Sequence, residues 1–315
     1  MADVKKIATR ESYAQTLCEL GNSIDNLFVL DADLAGATKT GAFKKAFPDR
    51  FIDCGIAEQN MMSIAAGLAS CGNIVFASSF AMFASGRAFE QVRNSICYPA
   101  LNVKIGATHA GISVGEDGAS HQCCEDIAIM RTLPNMTIIN PADDTEAKLA
   151  VKAAVEMDGP AYLRFGRLAV PVVFDSDYKF EIGKGVVLSE GSDVTIIATG
   201  LMVSCAIEAA KLLANEGISA RVVNMATIKP LDKELVLESA AKTGAIVTAE
   251  EHSIIGGLGS AVAETVCEAG AKAPVVRLGV EDVFGQSGPA LELLDVYKLN
   301  AAGIVEKAKK AISLK

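Results

Sequence analysis

The sequence predicts an α/β protein of two domains, each built around a mainly parallel sheet. Three observations carry this. Short β-rich runs alternate with helical patterns almost throughout, the signature of βα units. Hydrophobic residues make up 50% of a 315-residue chain, enough to bury two cores. The alternation breaks once, at the polar, turn-rich stretch VPVVFDSDYKFEIGKG (170–185), which divides the chain into residues 1–171, a linker over 172–186, and residues 187–315.

The elements follow in order. NLFVLDADL (26–34) reads as a strand ending in a polar turn, and AEQNMMSIAAGLASCG (57–72) as a helix rich in small residues and stopped by glycine. NIVFASSF (73–80) is a buried strand. The long helical pattern FASGRAFEQVRNSICY (83–98) leads into the strand LNVKIGAT (101–108). MTIINPAD (136–143) and AYLRF (161–165) are further strands, separated by the helical TEAKLAVKAAVEM (145–157). Beyond the linker the same alternation resumes with DVTIIATG, VSCAIEAAKLLANEG, ISARVVNM, KELVLESAAKTG and AIVTAEEH.

Composition narrows the functional classes. A formal net charge of -9 argues against a general nucleic-acid surface, although a local basic pocket can still hold a small phosphate. The N-terminus lacks a signal-peptide pattern and no apolar run is long enough to span a bilayer, so a cytoplasmic location without membrane association is expected. The eight cysteines are scattered without a CxxC pair. They read as reduced, mostly buried thiols, and no metal site is expected on this chain.

Chemistry concentrates at predicted strand ends, where open α/β sheets bind ligands. HAGISVGEDGASHQ (109–122) follows a strand directly and holds two of the chain's three histidines. His109, Glu116, Asp117 and His121 with glycines between them suit a polyhydroxylated or phosphorylated small molecule; a polar surface turn is the plainer alternative. Glu58 opens an apolar helix. It serves either as a favourable partner of the helix dipole or as a carboxyl group poised for proton exchange with a bound heterocycle. Phe80, Phe83 and Phe89 are either core or a platform for a flat ring. Arg164 and Arg167 suit phosphate recognition or a surface ion pair. The glycines of GGLGSAV imitate part of a dinucleotide fingerprint without completing it and read as helix packing. His252 reads as a hydrogen-bonded structural residue.

Taken in order, GIAEQNM, SSFAMFASGRAFEQVR, THAGISVGEDGASHQ, LPNMTIINPAD and GPAYLRFGR resemble the transketolase family of thiamine diphosphate enzymes. VVNMATIKPLD and TAEEHSIIGGLGSA resemble that family's C-terminal domain. The resemblance implies a thiamine-diphosphate pyrimidine-binding domain followed by a transketolase C-terminal-like domain. It also exposes a departure: the GDG segment and following Asn that hold magnesium in full transketolases are missing, and GEDG belongs to a different motif. The resemblance therefore implies the C-terminal subunit of a split transketolase, whose separate N-terminal subunit supplies the magnesium and diphosphate site, in a heterotetramer of two copies of each.

Residue by residue, the resemblance matches Glu58 to the glutamate on a ring nitrogen of the aminopyrimidine, and Phe83 to the aromatic stacked on that ring, with Phe80 behind it. Asp33 and Leu34 match a segment lining the cofactor. His109 and Arg167 match sugar-phosphate contacts, Asp117 a carboxylate on substrate hydroxyls, and His121 a histidine that some members replace with glutamine. Glu58, His109 and His121 form the expected catalytic set, and Ser12 is matched to a phosphate-contacting serine. The implied reaction is transfer of a two-carbon ketol unit between sugar phosphates. The rivals are a 2-oxo acid dehydrogenase first-component β subunit, a deoxyxylulose-phosphate synthase-like subunit, and a non-catalytic regulatory homologue.

Overall fold

The computed structural model describes residues 5–315. In chain order the strands are β1 (Lys6–Ala8), β2 (Leu27–Asp31), β3 (Phe51–Asp53), β4 (Ile74–Phe80), β5 (Val103–Thr108), β6 (Thr137–Ile139), β7 (Ala161–Arg164), β8 (Ala169–Pro171), β9 (Val186–Ser189), β10 (Val194–Ala198), β11 (Ala220–Asn224), β12 (Thr227–Lys229), β13 (Ile246–Ser253) and β14 (Val275–Val280). A seven-stranded sheet runs β12-β6-β7-β5-β4-β2-β3, a five-stranded sheet runs β14-β13-β10-β11-β9, and β1 pairs with β8 alone.

The first sheet is parallel from β3 to β6. Its central strands β4 and β5 are almost wholly buried, as strands covered by helices on both faces must be. β2 stops at Asp31, short of the expected 34. The Asp31 carboxylate turns back to accept from Leu34 N and from the hydroxyls of Thr38 and Thr40, which closes the turn within the next residues. The helical pattern expected over 83–98 is helical from Met82 to Cys97, but contains two π-helical turns, Met82–Arg87 and Val92–Cys97.

Some helices open on a side-chain cap. Asp143 accepts from Glu146 N at 2.8 Å to open the helix Asp144–Glu156. Asp232 accepts from Leu235 N at 3.1 Å to open Lys233–Thr243, which Gly244 ends at φ 66°.

Residues 172–185 contain neither helix nor strand. They are nonetheless tied down: Val173 N and Phe174 N donate to Asp143, and Tyr178 OH donates to the buried Glu146 carboxylate at 2.6 Å. A second connection was not anticipated. After β11 the chain crosses to the first sheet, where β12 pairs antiparallel with β6, so the later half of the chain completes the edge of the earlier half's sheet.

Candidate active site

The parallel register places the carboxyl ends of β3, β2, β4, β5 and β7 side by side, and these ends deliver most of the expected site residues. Glu58 follows β3 and is the first residue of the helix Glu58–Ser70. Its side chain is only 2% exposed, and Arg87 Nη1 donates to Oε2 at 2.9 Å. The Arg87 guanidinium lies over the Phe83 ring, 4.7 Å from its centroid. Phe83 stacks near-parallel on Phe80 at 5.9 Å, and Phe80 stacks on the His109 imidazole at 3.8 Å. His121 presents its edge to Phe83 at 5.3 Å. Glu58 is thus linked to Phe83 through Arg87, and Phe83, Phe80, His109 and His121 form one cluster of ring contacts.

His109 leads out of β5 with φ 55°, a left-handed conformation that is strained for a residue with a Cβ. Its Nε2 lies 2.7 Å from Nη1 of Arg10. Burial first, then Arg10, Arg167, Lys39 and His121, push the imidazole down to about 3. This local convergence of cations stands against the acidic whole and is what an anionic ligand requires.

Arg167 pins the segment after His109. Its guanidinium donates to Val114 O and pairs with Glu116 at 3.4 Å and Asp117 at 3.8 Å. The later half of the chain holds the same segment from the other side: Ser113 N donates to Glu251 Oε1 at 2.5 Å, Gln122 Nε2 donates to Gln286 O at 2.9 Å, and Ser287 Oγ donates to Glu116 O at 2.7 Å.

Asp33 and Leu34 lie on the same sheet edge, after β2. Asp33 is exposed at φ 61°, and its N–H donates to Asp53 Oδ1 at 3.2 Å; Leu34 is half-buried. Ser12 is not brought to the cluster. It is fully buried in the helix Thr9–Gly21, and its hydroxyl donates its one hydrogen to Asp144 Oδ1 at 2.7 Å, inside the fold. Two residues earlier, Arg10 is the member of that segment that reaches His109, and sequence reasoning missed it. It also missed Arg87. The signal for both was a cation beside a motif residue, which charge counting alone does not distinguish from a solvated surface group.

Two other motifs resolve as structure. The Glu250 carboxylate accepts from Leu258 N and Gly259 N, both at 2.7 Å, so the helix after the glycine run already has an anion at its N-terminus, supplied by the protein. A Cβ at Gly257 would lie 2.0 Å from Glu250 Oε2. His252 is fully buried, with Nδ1 2.7 Å from Ser253 O. The eight cysteines are free thiols. Among the described residues no group of three or more His, Cys, Asp or Glu is placed to hold a metal ion, and no helix is long and apolar enough to cross a membrane.

The family models for the transketolase pyrimidine-binding domain and the transketolase C-terminal domain match residues 5–172 and 183–304. The chain belongs to the transketolase family. It is 53% identical, over 95% of its length and 94% of the relative's, to a protein of Methanocaldococcus jannaschii provisionally named a transketolase C-terminal section. It is 43% identical, over 97% and 95%, to a 6-deoxy-6-sulfo-D-fructose transketolase subunit of Clostridium sp.. Among solved structures it matches a split-gene transketolase described as an inactive β4 tetramer, at 58% identity and TM-score 0.91, covering 98% of this chain and 99% of that one.

Proposed function

We propose that this chain is the C-terminal subunit of a two-subunit transketolase. It reversibly transfers a two-carbon ketol unit from a ketose phosphate to an aldose phosphate, with magnesium and the cofactor's diphosphate held by a separate N-terminal subunit in an assembly of two copies of each. The observation that carries the reading is the run from Glu58 through Arg87 to Phe83, and on through Phe80 to His109 and Arg10: a buried carboxylate and a ring face sharing one cation at one end, converging cations at the other.

The residues fit the aminopyrimidine of thiamine diphosphate. Glu58 is a buried carboxylate at a sheet edge, and Phe83, half-buried, offers a face to a flat ring. When bound, thiamine diphosphate supplies the nucleophilic carbon and the electron sink for breaking a carbon–carbon bond beside a carbonyl. Glu58 holds the proton exchanged at the pyrimidine ring nitrogen. Phe83, with Phe80 behind it, orients the ring, while Asp33 and Leu34 border it.

At the other end, Arg10 and Arg167 bind the anionic tail of the sugar with His109. Asp117 accepts from sugar hydroxyls, and His121 lies between ring platform and sugar. The buried part of the loop, residues 111–115, is held by Glu251 and Gln122 and keeps these groups in register.

The names of the similar proteins support the division into subunits: a relative of matching length is called a C-terminal section, and the split-gene homologue is described as an inactive tetramer. The test is co-purification with a diphosphate-domain subunit, followed by transfer assays on ketose and aldose phosphates. A sulfonated sugar belongs in the panel, because one relative is named for it. Activity of the pair, its absence from the isolated chain, and near-complete loss in Glu58→Ala are expected. Normal transfer by Glu58→Ala removes the proton-exchange role; tight magnesium-dependent cofactor binding by this chain alone removes the division into subunits.

A further inference from the structure

Glu58 has a resident partner. The Arg87 guanidinium occupies both surfaces that the proposed function assigns to the cofactor's pyrimidine: its N–H edge meets the Glu58 carboxylate at 2.9 Å, and its plane lies over the Phe83 ring at 4.7 Å. A guanidinium and an aminopyrimidine share the features that matter here, a flat face and an edge of nitrogen-bound hydrogens. They cannot fill the same space together.

We infer that Arg87 is a displaceable occupant of the pyrimidine site, filling it while the cofactor is absent and swinging out when the ring enters. The physical reason for such a device lies in Glu58. A nearly buried carboxylate without a counterion is an uncompensated charge, which folding penalises heavily. Arg87 compensates it until a ligand does.

The position of Arg87 suits displacement. Its side chain is 49% exposed, so the departing cation regains water rather than entering another buried environment. It ends the π-helical turn Met82–Arg87, a local geometry that carries the side chain away from regular helical phase and toward the helix that Glu58 opens. Half of the Arg87 side chain is in water, so its cation–ring contact is of modest strength and the contact to Glu58 is the one that must be replaced. An incoming ring that makes both contacts at once can therefore replace them.

The consequence is a lowered apparent affinity. The protein binds the cofactor only from the fraction of molecules in which Arg87 has withdrawn, and the dissociation constant is raised by the inverse of that fraction. The inference rests on the pyrimidine-site reading above, and the two can fail separately.

The experiment uses the full chain with its complementary subunit, titrated with thiamine diphosphate in magnesium buffer by calorimetry and by stopped-flow fluorescence. Arg87→Gln is expected to bind roughly three- to tenfold more tightly than wild type, through faster association at an unchanged dissociation rate. Arg87→Lys, which retains a cation for Glu58 without the flat face, falls between the two. Unchanged or weaker binding by Arg87→Gln, with a wild-type circular dichroism spectrum, overturns the inference and makes Arg87 a support of the bound ring. Wild-type binding by Glu58→Ala, or none by the wild-type complex, overturns the pyrimidine-site reading and this inference with it.

Discussion

His109 and Arg10 are joined through Nε2 and Nη1 at 2.7 Å. A guanidinium only donates, so Nε2 is the acceptor and the imidazole proton sits on Nδ1, 2.9 Å from Thr108 Oγ1. The tautomer follows from the partner. Closing this contact with a protonated imidazole would set two cations against each other in a buried site, and His109 is accordingly pushed down to about 3 by burial, Arg10, Arg167, Lys39 and His121. A neutral His109 polarises or positions a ligand; it is not a reservoir of protons near neutral pH.

The first prediction is a pH dependence of stability. The folded value of about 3 lies below the ordinary 6.5, so the unfolded chain binds the proton first as pH falls. Stability is unaffected by this group above 6.5 and declines as pH drops from there toward 3. In urea unfolding, the difference between wild type and His109→Gln should shift against the wild type by up to about 1.4 kcal/mol per pH unit in that window. A flat difference from pH 7 to 4 contradicts a neutral His109.

The second prediction concerns the anionic end of the substrate. Arg10→Ala and Arg167→Ala should each raise KM for a phosphorylated sugar by roughly ten- to a hundredfold, the scale of a lost charge-assisted hydrogen bond, and leave an unphosphorylated analogue nearly unchanged. Steady-state kinetics on matched pairs decides it. Equal effects on both substrates would show that the two arginines shape the loop rather than bind its anion.

Strand ends were legible because period and composition place them: Phe80 closes an uninterrupted buried run, and His109 follows the next one. Arg10 was not legible because its segment offers Arg10 and Ser12 with similar claim, and only the helical phase decides. That phase turns Ser12 inward to Asp144 and leaves Arg10 half-buried beside His109. Arg87 was hidden by a π-helical turn that ordinary 3.6-residue counting does not describe. β12 is three residues long, ends immediately before Pro230 and carries no periodicity; its pairing with β6 is a tertiary fact.

The third prediction follows from Glu251, which reaches across from β13 to accept from Ser113 N. Burial raises its carboxyl group to about 7, opposed by the nearby Arg164. The folded value is above the ordinary 4.5, so the stabilisation is complete below 4.5 and is lost as pH rises through 7. Glu251→Gln keeps an acceptor for Ser113 without a charge to bury. Its stability relative to wild type should improve between pH 5 and pH 8, measured by urea unfolding. A relative stability that stays constant, or worsens, shows the carboxylate to be favourably held when ionised.

The fourth prediction separates two arginines that the motif GPAYLRFGR presents as neighbours. Arg167 is partly exposed and pairs with the acidic Glu116, whereas Arg164 is 3% exposed and its Nε donates to the fully buried Asp126 Oδ2 at 2.8 Å. Tyr162 OH donates to the same oxygen at 2.9 Å, and Arg164 Nη2 donates to Glu251 O at 2.9 Å. One side chain thereby ties the first sheet to β13 of the second. Arg164→Met leaves Asp126 as a buried charge with a single hydroxyl partner, and should cost about 3–5 kcal/mol in urea unfolding. Asp126→Asn leaves the guanidinium comparably short of its counterion. The double variant should be less destabilised than the sum of the two, because the second change removes a charge that the first had stranded. Additive losses would mean that the two side chains stabilise the fold independently, and the pairing seen at 2.8 Å would then contribute geometry without energy.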